Sequence, residues 1–168
     1  TYAETYMEGW DALRQRRWQR AQSLGLAPAG APVPAPALGT RPWASLTPAE
    51  QALSSRSMAV YAAMIEHMDQ EIGRLVAHLQ TTGALDNTVF VLTSDNGPEP
   101  SDPGAQTGFP TWMATHGYRR TLEGLGEAGS HNWIGPEWAE AVATPGRLFK
   151  FYATEGGVRV PLVIAGPG

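Results

Sequence analysis

The feature that most constrains the fold is a long amphipathic helix predicted for residues 47–82. The residues Thr47-Pro48-Ala49-Glu50 have the pattern of a capping box with proline at the first helical position, which is typical of a helix N-terminus. Apolar residues then recur at spacings of three and four as far as Gly83, where the helix is expected to end. These residues are Met58, Tyr61, Ile65, Met68, Ile72, Leu75 and Leu79. Such a regular stripe indicates packing against a core rather than a cofactor site.

A short turn leads from this helix to a strand predicted for residues 88–93. The stretch "TVFVLT" is apolar on both faces, as is typical of strands buried in a parallel sheet. A second strand is predicted for residues 158–165, where Pro161 indicates an edge position or limited pairing. A helix, a tight connection and a buried strand together predict an α/β domain in which helices are layered on a sheet.

The other segments have weaker periodicity. A helix is expected over residues 4–24, whereas the many prolines of residues 27–42 predict an extended connector or a loop on the surface. Residues 98–146 are rich in Gly, Pro and Trp and predict a long loop region, which is often functional. The chain opens on Thr1 without a methionine, and its last residues end where a strand would lead into another element. We therefore expect a piece of a longer protein.

Composition excludes several functional classes. The chain has no cysteine, so its own residues cannot form disulfides, thiolate metal sites or cysteine nucleophiles. The net charge of -4 and the shortness of the arginine cluster at residues 14–20 do not favour nucleic-acid binding, and that cluster is expected to be a solvated helix face. No apolar run has the length of a membrane span. No nucleic-acid partner and no membrane span are therefore expected.

Two oxygen-bearing side chains follow the first predicted strand. Asp95 and Asn96 lie at its carboxyl end, where open α/β sheets bind their ligands. A carboxylate beside a carboxamide suits Ca²⁺ or Mg²⁺ better than zinc or copper. Asp-Asn-Gly is also ordinary turn chemistry, so this pattern alone leaves a metal site and a plain turn as alternatives. A complete calcium site would need more oxygens, to which Glu99 and Asp102 could contribute together with chain outside this sequence.

Lys150 is the candidate contact for an anionic substrate. It lies between Phe149 and Phe151, an apolar neighbourhood that could hold its ammonium group where such a substrate binds. The alternative is a solvated lysine. The Gly156-Gly157 pair that follows indicates a tight turn into the second predicted strand.

The histidines have no clear role in the sequence. His67 and His78 fall on the polar side of the long helix and are expected to be solvated. His116 and His131 fall in the predicted loop region near tryptophans, and either could line a pocket. No phosphate-binding glycine loop, H-E-x-x-H motif or G-x-S-x-G elbow occurs.

The chain resembles the type I sulfatases, a branch of the alkaline-phosphatase superfamily, in two segments. These are "VYAAMIEHMDQEIGRLVAHLQTTGALDNTVFVLTSDNG" (60–97) and "KFYATEGGVRVPLVIAGPG" (150–168). Residues 12–26 and 132–150 are most similar to bacterial arylsulfatases. The resemblance implies an alkaline-phosphatase-like sandwich of helices around a mostly parallel sheet, with residues 1–168 as part of the catalytic domain.

The resemblance implies roles for three residues. Asp95 and Asn96 match the second pair of Ca²⁺ ligands of the family. Lys150 matches a lysine that contacts the substrate sulfate and would neutralise charge on the leaving oxygen. The E-G-G-V-R-V-P segment (155–161) is expected to be architecture at the edge of the site. The family's nucleophile is a formylglycine made from cysteine, or a serine, in a C/S-x-P-S-R motif; this chain lacks the motif, which is expected upstream.

The function implied is that of part of an arylsulfatase, which hydrolyses sulfate esters to an alcohol or phenol plus sulfate. Ca²⁺ is the expected cofactor, a small-molecule sulfate ester the substrate, and the rest of its own catalytic domain the partner; this segment alone is expected to be inactive. A phosphodiesterase or phosphonate monoester hydrolase of the same superfamily, or a non-catalytic segment that binds a cation, are the alternatives. The expected organisation is a connector (27–42), a long helix (47–82), a strand with a metal-binding turn (88–97), a long loop region (98–146) and a segment with the lysine and E-G-G-V-R-V-P (147–168).

Overall fold

The computed structural model describes residues 2–167, which form a mixed arrangement of helices and a small sheet. The helices and strands are α1 (Gly9–Ser23), α2 (Pro48–Thr81), β1 (Phe90–Thr93), α3 (Phe109–Thr115), α4 (Gly135–Ala143), α5 (Glu155–Val158) and β2 (Leu162–Ala165). Within these residues no helix combines the length and the apolar character needed to cross a membrane.

The long helix α2 begins at the predicted capping box. The Thr47 hydroxyl accepts a hydrogen bond from the Glu50 amide (3.3 Å), and the Glu50 carboxylate accepts one from the Thr47 amide (2.7 Å). Two backbone donors that the helix leaves free are thereby satisfied. The helix continues for 34 residues, as the apolar periodicity predicts.

Only the N-terminal half of α2 is packed in the described chain. Met58 and Ala59 are buried, whereas Ile65, Met68 and Leu75 are each about half exposed. The expectation that the whole apolar stripe packs against a core is therefore wrong for the described residues. The reason is that the hydrophobic core of residues 2–167 lies against the first half of α2.

The core is an aromatic cluster between α1, α2 and α4. Trp138 of α4 is fully buried, and Trp10 of α1 meets it edge to face with ring centroids 5.6 Å apart. Both indole N–H groups have acceptors: Trp138 donates to the Ser54 hydroxyl (2.8 Å) and Trp10 to the Arg41 carbonyl (3.0 Å). This pairing satisfies the polar ends of two buried aromatic side chains.

Helix α4 corrects the prediction of a long loop over residues 98–146. That region contains both α3 and α4. Pro136 lies in the first turn of α4, where a missing N–H costs nothing, and the burial of Trp138 stabilises a helix of only nine residues. Tertiary packing therefore stabilises a helix that is too short to stand out in the sequence.

The proline-rich segment 27–42 crosses the surface as an extended strap and is held by side chains of α1 and α4. Trp18 donates to the Ala31 carbonyl (2.9 Å) and Arg14 to the Pro34 carbonyl (2.9 Å). Glu140 accepts from the Ala37 amide (2.9 Å) and lies 3.5 Å from Arg14. These contacts give hydrogen-bond partners to backbone groups of a segment that has no regular secondary structure of its own.

Strands β1 and β2 form a two-stranded antiparallel sheet, in which Phe90 is opposite Ala165 and Thr93 is opposite Leu162. The predictions of a mostly parallel sheet and of a first strand buried on both faces are wrong for residues 2–167. The chain that follows α5 runs back along β1, and both strands stay largely exposed, for example at Val91 (63%) and Ile164 (64%). Such strands leave apolar faces and edges uncovered.

Candidate functional site

The predicted metal residues lie in the turn that follows β1. The Asn96 amide nitrogen donates to Asp95 Oδ1 (2.9 Å), so the two side chains converge despite being adjacent in sequence. The Ser94 hydroxyl donates to the Asn96 carbonyl (2.8 Å) and closes the turn. Neighbouring side chains of a strand would point to opposite faces, so this turn is what brings the two groups together.

This turn docks directly on the segment that carries Lys150. The Gly97 amide donates to the Gly157 carbonyl (2.9 Å), and the Lys150 amide donates to the Pro98 carbonyl (3.1 Å). A Cβ atom on Gly97 would overlap the Gly156 carbonyl oxygen, so glycine allows the two backbones to approach this closely. The S-D-N-G and E-G-G motifs therefore pack directly against each other.

Lys150, the only lysine of the chain, makes an ion pair with Glu99. Its Nζ lies 2.6 Å from Glu99 Oε2 and 5.3 Å from the centre of the Phe151 ring. Phe149 on the other side is buried, and the lysine side chain is one-third exposed (34%). Its ammonium group therefore lies at the surface in contact with Glu99, four residues after Asp95.

Glu99 is held as a carboxylate by its neighbours. Partial burial raises its pKa, but hydrogen bonds from Lys150 and from Ser101 outweigh this effect, so the pKa lies below the usual value. A carboxylate that accepts hydrogen bonds in its charged form is stabilised in that form. The ion pair with Lys150 therefore persists at neutral pH.

The backbone around Lys150 is in an unusual conformation. Leu148 and Phe151 have φ of 61° and 80°, in the left-handed region that residues with a side chain avoid. The E-G-G turn closes over this loop, because the Gly156 amide (2.9 Å) and the Thr154 hydroxyl (2.6 Å) both donate to the Arg147 carbonyl. These contacts show how the turn positions the loop that holds the lysine.

The donor set fits part of a calcium shell. Asp95 and Asn96 offer two hard oxygens in one turn, whereas Ca²⁺ takes about six to eight. Glu99 contacts Lys150, and Asp102 accepts from the Gly104 amide (3.1 Å), so neither joins the pair. No group of three or more acidic or histidine side chains with metal-binding geometry occurs in residues 2–167. Rotation of the Asn96 amide would place its oxygen beside the carboxylate, an arrangement that a cation would stabilise.

The histidines fall into two environments. His67 and His78 are exposed on α2, as predicted. His116 stacks on Trp112 with centroids 4.6 Å apart, and His131 inserts its ring among aromatic side chains, with Phe109 at 5.5 Å. The proximity of these histidines to tryptophans in the sequence is the one signal that pointed to this aromatic cluster.

Comparison with known proteins identifies the family. The sulfatase family model matches residues 1–168. The chain is 43% identical over 167 residues to a protein of Schizosaccharomyces pombe named as an uncharacterized sulfatase, covering 99% of the chain and 30% of that protein. It is 32% identical over 164 residues to an arylsulfatase of Klebsiella aerogenes, covering 97% of the chain and 35% of that protein. The chain thus spans about a third of the length of these curated relatives. It belongs to the sulfatase family.

Proposed function

We propose that the chain is part of the catalytic domain of an arylsulfatase, which hydrolyses sulfate esters to an alcohol or phenol plus sulfate. One observation carries this proposal: the turn with Asp95 and Asn96 is joined through backbone hydrogen bonds to the loop with Lys150. Family membership and the relative named arylsulfatase support it. The complete domain would have the alkaline-phosphatase-like fold that the family implies.

Asp95 and Asn96 would contribute two ligands to Ca²⁺. When bound, the ion would supply positive charge that attracts the sulfate group and stabilises negative charge on its oxygens. The convergence of a carboxylate and a carboxamide in one turn supports this assignment, because both offer the hard oxygens that calcium prefers.

Lys150 would contact the sulfate of the substrate. Its ammonium group donates hydrogen bonds from a fixed position and would neutralise the negative charge that develops on the leaving oxygen. The ion pair with Glu99 and the strained loop hold this group in place before the substrate binds. In the proposed complex a sulfate oxygen would share the ammonium group with Glu99.

The nucleophile of the proposed reaction would come from elsewhere in the full-length protein. The sequence "SSRSM" (54–58) lacks the proline of C/S-x-P-S-R, and it lies within α2. Ser55 and Ser57 are buried there and donate to backbone carbonyls of Tyr6 (3.1 Å) and Leu53 (2.9 Å). We therefore expect a formylglycine or serine outside this chain and no activity from the segment by itself.

The test uses the full-length protein and compares three classes of ester. We expect 4-nitrophenyl sulfate to be hydrolysed faster than the corresponding phosphate diester and phosphonate monoester. Replacing Lys150 with alanine should lower kcat/KM for the sulfate ester by about 100-fold or more. Arg74→Ala, which removes an exposed cation from α2, is the matched control and should leave kcat/KM unchanged. Faster turnover of the phosphonate ester would favour the alternative hydrolase activity and contradict the proposal.

A further inference from the structure

One face of α1 carries a side-chain hydrogen-bond donor at every fourth position. The residues of this donor row are Trp10, Arg14, Trp18 and Gln22. Side chains four residues apart lie on the same face of a helix, one turn above another. Arg14 is buried in this row, whereas the other arginines of the cluster at residues 14–20 are exposed. The expectation of a solvated face for this cluster is therefore wrong at Arg14.

Each member of the donor row binds a backbone carbonyl of the proline-rich strap (27–42). Trp18 and Gln22 both donate to the Ala31 carbonyl, at 2.9 and 3.0 Å. From Trp10 to Gln22, the acceptors are the carbonyls of Arg41 (3.0 Å), Pro34 (2.9 Å), Ala31 (2.9 Å) and Pro28 (2.7 Å). The strap therefore crosses α1 in the opposite chain direction, and its carbonyls meet the donors in order.

The strap has free carbonyls because its sequence imposes an extended backbone. Pro32, Pro34 and Pro36 alternate with alanine or valine. Each proline fixes its own φ and disfavours the α region for the residue before it, so residues 31–36 favour the polyproline II conformation. In the structure, residues 31–37 form no helix, strand or turn. A polyproline II segment makes no internal hydrogen bonds, so its carbonyls are available to other donors.

In the described part of the chain, side chains hold the strap on α1 and α4. No backbone–backbone hydrogen bond joins residues 27–42 to either helix among the described residues. Glu140 of α4 accepts from the Ala37 amide (2.9 Å), and Leu38, the largest apolar side chain of the strap, is fully exposed. These hydrogen bonds involve backbone groups of the strap, so they require its extended conformation rather than particular side chains.

We propose that the donor row of α1, together with Glu140 of α4, is a binding site for polyproline II segments, with residues 31–37 as its ligand in the same chain. Proline-rich segments commonly dock on aromatic surfaces, because the polyproline II conformation is formed before binding. A separate peptide with alternating prolines should therefore bind to this site when the hold of residues 31–37 is weakened. Binding at this site does not depend on hydrolysis of sulfate esters.

The first test uses the full-length protein with Pro32→Gly, Pro34→Gly and Pro36→Gly, which weakens the ligand in the same chain. A fluorescently labelled peptide with the sequence of residues 27–42 is titrated with this protein, and its anisotropy gives the Kd. We expect the peptide to bind. A peptide with glycine at the three proline positions should bind at least about 10-fold more weakly, because glycine leaves the backbone unrestricted before binding.

Gln22→Met, added to this protein, should raise the Kd of the proline peptide by about fivefold, because two hydrogen bonds to the strap backbone are lost. Gln19→Met is the matched control: Gln19 lies on the same helix, is exposed and is not part of the donor row, so the Kd should stay unchanged. Equal affinities of the two peptides, equal effects of the two glutamine variants, or no binding by the folded protein would overturn the assignment.

A second measurement leaves the strap unchanged and does not require the glycine variant to fold. Hydrogen exchange of the full-length protein, followed by mass spectrometry, reports the opening of residues 27–42. Gln22→Met should speed the exchange of this segment by about fivefold, whereas Gln19→Met should match the wild type. Equal exchange in all three proteins would contradict the site. None of these results bears on the sulfatase proposal, since no readout involves turnover of an ester.

Discussion

At the scale of single residues, the site depends on glycines where two backbones touch. A Cβ atom on Gly156 would overlap the carbonyl oxygen of Leu148, next to the loop that holds Lys150. A backbone carbonyl in a constrained loop cannot move aside as the end of a flexible side chain can. The close approach of the two site segments therefore requires glycine at this position.

Gly156→Ala is expected to destabilise the full-length protein by about 2 kcal/mol, because the added methyl group forces backbone atoms apart. Gly73→Ala is the matched control, since Gly73 lies inside α2 with open space around it. That variant should be more stable by about 0.5–1 kcal/mol, the difference in helix propensity. Denaturation in urea measures both values, and a neutral Gly156→Ala variant would contradict the close packing of the site.

The ion pair of Lys150 and Glu99 predicts a pH dependence at the same scale. The folded-state pKa of Glu99 is lower than its ordinary value of 4.5, so its contribution to stability is complete above that value. This contribution is lost as the pH falls through the lowered folded-state pKa. Because the Glu99 side chain is half exposed, we expect a contribution of no more than about 1 kcal/mol.

In the Glu99→Gln variant, the free energy of unfolding should therefore decrease less than in the wild type as the pH is lowered. Urea denaturation midpoints of the full-length protein, measured from neutral pH to below 4, should fall less steeply for this variant than for the wild type. Glu123→Gln is the control, because Glu123 is exposed and makes no ion pair in the described part of the chain. Identical acid limbs for Glu99→Gln and the wild type would show that the ion pair does not contribute to folding.

At the scale of elements, Glu140 joins α4 to α1 and to the proline-rich strap. Its carboxylate is almost fully buried, faces Arg14 at 3.5 Å and accepts from the Ala37 amide. Glu140→Ala would leave the buried Arg14 guanidinium without its counter-ion and the Ala37 N–H without its acceptor. We expect a loss of about 3–5 kcal/mol, as is typical when one partner of a buried ion pair is removed.

Glu137→Ala is the matched control on the same helix. Glu137 accepts from the Arg41 amide (3.1 Å) at a partly exposed position, so its loss should cost about 1 kcal/mol. Urea denaturation compares the two variants, and equal costs would contradict the role of Glu140 as the link between these elements.

Elements with local signals could be predicted from the sequence. The start of α2 depends on Thr47 and Glu50, which are three residues apart, and β1 depends on a short apolar run followed by Gly97-Pro98. Helix α4 could not be predicted because it has only nine residues and its stability depends on the burial of Trp138. The antiparallel pairing of β1 and β2 is likewise set by contacts between distant segments, which no local pattern encodes.

The candidate site likewise has residues that the sequence predicts and contacts that it does not. Asp95, Asn96 and Lys150 could be chosen from their residue types and from the resemblance, and the structure brings their segments together. No sequence pattern predicts the ion pair of Glu99 with Lys150. Acidic side chains after a turn are common, and Lys150 lies far along the chain from Glu99. The sequence makes Glu99 a candidate metal ligand. Because its carboxylate contacts Lys150, no observation supports that role.

At the scale of the whole molecule, the described chain leaves several apolar faces open. Ile65 and Leu75 on α2 and Val91 and Ile164 on the sheet are each about half exposed or more. The relatives are about three times as long as this chain. We expect the rest of the catalytic domain to cover these faces and to extend the sheet, because apolar surface of this kind is usually buried.

We propose above all that Asp95, Asn96 and Lys150 belong to one site that hydrolyses sulfate esters. Its most direct test is the kcat/KM of the full-length protein for 4-nitrophenyl sulfate, measured as a function of calcium concentration. Asp95→Ala is expected to lower kcat/KM by about 100-fold or more and to raise the calcium concentration needed for activity. Asp69→Ala, which removes an exposed carboxylate from α2, should match the wild type in both. An Asp95→Ala variant with the activity and calcium dependence of the wild type would contradict the account.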